Sequence, residues 1–86
     1  MAEKNITIRL KLFSLAKDLA GFDEKLIEVP SGSPSEAVLD YLIEGNPTFK
    51  RWKPSLRIAV NLSYVGNSHP LHEGDEVAII PPVSGG

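Results

Sequence analysis

Eighty-six residues allow one small domain, a chain that buries roughly 60–65% of its unfolded surface, enough for one core but not for a deep enclosed active site. With 42% hydrophobic and 23% charged residues the composition is that of an ordinary globular domain, which argues against disorder. Nine Lys and Arg against 11 Asp and Glu leave a net charge of −2 and no basic surplus for phosphates, so nucleic acid is not an expected partner. The absence of cysteine excludes disulfides, thiolate zinc sites and a cysteine nucleophile.

In chain order, Ile6, Ile8, Leu10 and Leu12 alternate with Thr7, Arg9 and Lys11, which predicts a strand with one buried face. Ser14 is a candidate cap for a short helix with Leu15, Ala16 and Leu19 inward, ended by Gly21. A second strand runs from Lys25 to Val29 and stops at Pro30-Ser31-Gly32. Ser33, Pro34 and Glu36 then have the spacing of a capping box, with Ser33 as the cap. The main helix follows, carrying Ala37, Val38, Tyr41 and Leu42 at helical spacing, and Gly45-Asn46-Pro47 ends it. Phe49 and Trp52 suit a single turn that lays two aromatics on the core. Leu56, Ile58 and Val60 predict a third strand, Asn61 to Ser63 a turn, Tyr64-Val65 a short fourth strand, Gly66 to Asp75 a loop and Glu76 to Ile80 a last strand. The first and last strands are the most apolar and belong side by side, parallel, at the sheet centre. Periodicity alone supports an α+β domain with one main helix.

Val77 to Ile80 is the longest apolar run and far too short to span a bilayer, and the N-terminal residues lead straight into alternating sequence without a secretory h-region. A cytoplasmic, membrane-free protein is the expectation. No catalytic constellation is visible. His69 and His72 stand beside Glu73 and Asp75, but a metal site needs more ligands on rigid elements, so none is expected. The serines form no Ser-His-Asp set, and Gly66 and Gly74 fall in no phosphate-binding motif. Lys50-Arg51-Trp52-Lys53 is read as a packed Trp flanked by solvated charges. The distinctive feature is the end: Pro81-Pro82 stiffens an extended segment, and Gly85-Gly86 presents a slender tip bearing a carboxylate.

The segment Leu71-His72-Glu73-Gly74-Asp75-Glu76-Val77-Ala78-Ile79-Ile80-Pro81-Pro82-Val83-Ser84-Gly85-Gly86 resembles the C-terminal signature of the molybdopterin synthase small-subunit family. Phe13 to Gly21 resembles that family's first helix, and Ala59-Val60-Asn61 the end of its third strand. The resemblance implies a β-grasp (ubiquitin-like) fold. Its mixed sheet would have four to five strands, with one main helix packed on one face and a short additional helix. It also implies a domain over 1–80 and an extended tail over 81–86.

By the same resemblance, an activating enzyme would spend ATP to adenylate the Gly86 carboxylate, and sulfur would displace the adenylate to give a thiocarboxylate. Slender Gly85 would let the tip enter the site of a large subunit, in an assembly of two small and two large subunits. The sulfur would pass to cyclic pyranopterin monophosphate, building the dithiolene of molybdopterin. No cofactor would be bound by this chain, and the acid–base side chains would belong to the partners. Phe13, Tyr64 and Ile80 stand at the family's docking positions, joined by Pro81, Pro82 and Val83 at the root of the tail. Ile80 replaces a common aromatic, Tyr64 is larger than the usual aliphatic, and Lys17 stands where Arg is frequent. A sulfur carrier of thiazole, cysteine or tRNA-thiolation pathways, a lysine-linked protein modifier and an inert β-grasp interaction module remain alternatives.

Overall fold

The computed structural model describes residues 4–82. A five-stranded mixed sheet has the order β2-β1-β5-β3-β4. Its strands are β1 (Asn5–Leu12), β2 (Glu24–Pro30), β3 (Arg57–Val60), β4 (Ser63–Val65) and β5 (Glu76–Ile80). The helices are α1 (Ser14–Ala20), α2 (Glu36–Gly45) and the single turn α3 (Phe49–Trp52), which runs into a 3-10 turn over Lys53–Ser55. β1 and β5 pair in parallel at the centre, as their apolar sequences predict, while the β1–β2, β3–β4 and β3–β5 pairs are antiparallel. This is the β-grasp arrangement.

Alternation puts Ile6, Ile8, Leu10 and Leu12 of β1, Val77 and Ile79 of β5, and Ile58 and Val60 of β3 on one face. Val38, Leu39 and Leu42 of α2 cover that face, and Phe49 of α3 closes one end. Of the two aromatics assigned to the α3 turn, Phe49 is fully buried and Trp52 only partly. Gly21 ends α1 as predicted, at φ +84, a conformation that disfavours a side chain, with its N–H on the Lys17 carbonyl at 2.9 Å.

Both predicted serine caps are absent. Ser14 is the first residue of α1, preceded by extended Phe13, and makes no capping bond. Ser33 turns its hydroxyl back to the Pro30 carbonyl at 2.6 Å, and α2 begins only at Glu36. The donors at the start of α2 are satisfied by the loop before β5 instead: Ser35 N–H reaches the His69 carbonyl at 2.7 Å and Glu36 N–H the Asn67 carbonyl at 3.0 Å. The Glu36 carboxylate, released from any box, pairs with Lys53 at 2.8 Å. That pair and Asp40 hold the Lys53 ammonium above its ordinary pKa, against a smaller opposing effect of burial. Among the described residues no helix is long and apolar enough to cross a membrane.

Candidate docking groove at the root of the tail

The face of the sheet turned away from α2 is built by the outward positions of the same strands. Lys11, Ala78, Ala59 and Tyr64 lie in register across β1, β5, β3 and β4. The two alanines form a floor that larger neighbours overhang, which is why Ala59 is only 7% exposed on an otherwise open face. Phe13, Leu62, Tyr64 and Ile80 wall a shallow groove of about 300 Å³ above this floor, and Lys11 and Glu76 close the remaining side. Lys11 Nζ and the Glu76 carboxylate stand 3.4 Å apart. The Arg57 guanidinium lies over the Tyr64 ring at 5.7 Å from its centre. Phe13 is 48% exposed and Tyr64 64%, so the groove is apolar and uncovered.

The three residues expected to share a face therefore do share one. A second hollow of about 580 Å³ continues from it, lined by Tyr64, Ile80, Pro81, Pro82 and the segment Pro54–Arg57. Pro82 is exposed, but Pro81 is buried. Ile80 is half-buried on the outward face, while Pro81, the first residue of the expected tail over 81–86, is buried. Val83, Gly85 and Gly86 lie outside the described residues.

Leu62 was not anticipated. It is 90% exposed at the tip of the β3–β4 hairpin, where Val60 pairs with Ser63 across a two-residue turn. Both turn residues have positive φ, Asn61 at +50° and Leu62 at +73°, the arrangement of a type I′ turn, which favours Asn-Gly. An Asn followed by Leu carries half of that signal, and the apolar half is easily mistaken for core.

The turn is pinned to the start of β5. Asn61 N–H donates to the Glu76 carbonyl at 2.8 Å, its side-chain amide to Asp75 at 3.0 Å, and Glu76 N–H donates to the Asn61 Oδ1 at 3.0 Å. Asp75 also accepts the His72 N–H at 2.8 Å. Partial burial works to raise the Asp75 pKa, but these hydrogen bonds and the nearby His72 and His69 together hold it below the ordinary carboxylate value. His69 and His72 are both exposed, and among the described residues no three His, Cys, Asp or Glu side chains converge.

A further hollow, of about 400 Å³, lies on the other side of the molecule between Phe22, Tyr41, Leu42 and Phe49. Its Asn46 donates to the Leu19 carbonyl at 2.9 Å, Lys25 stacks on Phe22 at 5.2 Å, and Glu44 also lines it.

The groove is an uncovered apolar surface of a kind that another protein can cover. Comparison with known proteins agrees in family and in fold. The model of the ThiS family matches residues 10–86. The molybdopterin synthase sulfur carrier subunit of Arabidopsis thaliana is 34% identical over 82 residues, covering 95% of this chain and 85% of that protein. Its counterpart from Chlamydomonas reinhardtii is 35% identical over 81 residues, covering 92% and 98%. The solution structure of small archaeal modifier protein 1 from Methanosarcina acetivorans superposes with a TM-score of 0.78 at 27% identity, covering 96% of this chain and 99% of that one. The chain belongs to the ThiS family, as a relative of the molybdopterin synthase sulfur carrier subunits.

Proposed function

We propose that this protein is the sulfur-carrying small subunit of a molybdopterin synthase, working in the cytoplasm. The observation that carries the reading is an uncovered apolar groove that continues to the Pro81-Pro82 root of a segment ending in Gly85-Gly86. The body (residues 1–80, with Pro81 seated against it) holds and orients; the tail reacts. A carboxylate is a poor electrophile, so an activating enzyme first joins the Gly86 carboxylate to the α-phosphate of ATP, releasing pyrophosphate. A sulfur nucleophile at the hydrosulfide level then displaces AMP, leaving a thiocarboxylate. That sulfur is a good nucleophile at neutral pH, and it is delivered to cyclic pyranopterin monophosphate in the large subunit, in an assembly of two subunits of each kind. Phe13, Tyr64 and Ile80 dock on the large subunit, and the missing acid–base residues are the partners'.

The test is intact mass spectrometry after co-expression with an adenylating, sulfurating enzyme. A gain equal to exchanging one oxygen for sulfur, localised to Gly86, is the expected result. A second reading, a modifier linked to lysines, takes its support from the likeness to the archaeal modifier protein. It predicts adducts on lysine side chains instead, and an unchanged mass would overturn both.

A further inference from the structure

Leu62 combines two costs that a protein has no folding reason to accept together. An isobutyl side chain is held nine-tenths in water, at 90% exposure, where it gains nothing from burial. It is also held at φ +73°, where a side chain is strained and glycine is not. The turn cannot relax to hide it, because Asn61 is tied to Asp75 and Glu76 by three hydrogen bonds of 2.8–3.0 Å. The remaining non-glycine residue of positive φ among the described residues, Ser14 at +54°, follows Phe13 directly. Leu62 itself lines the groove, as does Phe13, the residue before Ser14. A strained and exposed apolar residue on the wall of a groove points to a task other than stability.

We infer that Leu62 is a further anchor of this protein on the large subunit, held out by its strained turn to enter an apolar socket there. The inference rests on the proposed function above and adds a residue to it. The occupant is the one the proposed function seats on Phe13, Tyr64 and Ile80, and the length of the tail places it against this groove. Residues 83–86 are four, and can reach at most about 14 Å beyond Pro82. A protein holding Gly86 in its site must therefore press against the root of the tail. Tyr64 and Ile80 line both the hollow at Pro81-Pro82 and the groove that ends at Leu62, so one continuous footprint takes in all of these residues.

The experiment measures affinity for the large subunit of the same organism together with thermal midpoint, for Leu62→Gly, Leu62→Asn and Phe13→Ala. Gly and Asn both suit the turn, so the Leu62 variants keep a midpoint no lower than wild type. Both are expected to weaken binding about ten-fold, because the anchor is gone while the hairpin remains. A role in folding alone would instead lower the midpoint and leave the affinity of the folded fraction unchanged. Wild-type affinity in both Leu62 variants, beside a loss in Phe13→Ala, removes Leu62 as an anchor and leaves the groove standing. Wild-type affinity in all three variants overturns the groove reading and Leu62 with it.

Discussion

At the scale of single residues, polar side chains that hold loops in place matter more than any helix cap. Ser35 is fully buried; its hydroxyl donates to the Gly66 carbonyl and accepts the His69 N–H at 3.2 Å. Ser35→Ala strands both partners and is expected to cost about 2 kcal/mol in denaturant unfolding. Ser33→Ala loses only the bond to Pro30, and about 1 kcal/mol is expected. Asp75 adds a pH dependence. Its folded pKa lies below the unfolded value, so between the two the unfolded chain binds the extra proton. The stability Asp75 confers is complete above about pH 4 and is lost as pH falls through the folded pKa. Asp75→Asn is therefore expected to be less stable than wild type at pH 7 and to lose less on acidification. Equal acid slopes in the two proteins would show that the carboxylate is not what fastens the hairpin to β5.

At the scale of elements, what was legible in the sequence follows from what each residue faces. β1 and β5 alternate or run apolar because their inward residues are fully covered, and their central, parallel pairing follows from that. Gly21 and the Gly45-Asn46-Pro47 stop are local signals with local outcomes, so they read correctly. The start of α2 did not, since Ser33, Pro34 and Glu36 have capping-box spacing but the donors are taken by His69 and Asn67, more than thirty residues away. No local pattern reports so distant a partner. The groove was half legible for a similar reason. Phe13, Tyr64 and Ile80 stood at positions carried by resemblance, whereas the exposure and backbone strain of Leu62 exist only once β3 and β4 have paired. Ile79 of β5 has no exposed surface and packs in the centre of the core. Ile79→Ala is expected to cost about 3–4 kcal/mol, measurable as a shifted urea midpoint with an unchanged slope.

At the scale of the whole molecule, the proposed function assigns stability and reaction to different parts of the chain. The core that holds the described elements is built by residues between Ile6 and Ile79. Deleting Gly86, or adding one residue after it, is expected to leave the thermal midpoint unchanged and to abolish sulfur loading. One extended residue displaces the reacting carbon by roughly 3.3 Å, and errors of ~1 Å already cost about 10²-fold. The paired readout is thermal midpoint against thiocarboxylate yield for each variant. Normal yield from the deletion would refute the sulfur-carrier reading.

The position of β5 has its own consequence for how the chain reaches this state. Arg9 pairs with Glu76, and closing so long a loop costs about 4 kcal/mol in chain entropy. The antiparallel β1–β2 pair, joined through α1, and the β3–β4 hairpin can form early from local contacts, while β5 is recruited late, into a slot between them. Until it arrives, β1 and β3 each show an open inner edge with apolar side chains beside it. A neighbouring copy's β5 fits that slot as well as the molecule's own. Slow folding at high concentration would therefore favour strand-exchanged dimers, each a complete sheet holding a borrowed central strand. In such a dimer the Pro81-Pro82 segment beside one body's groove is borne by the other chain.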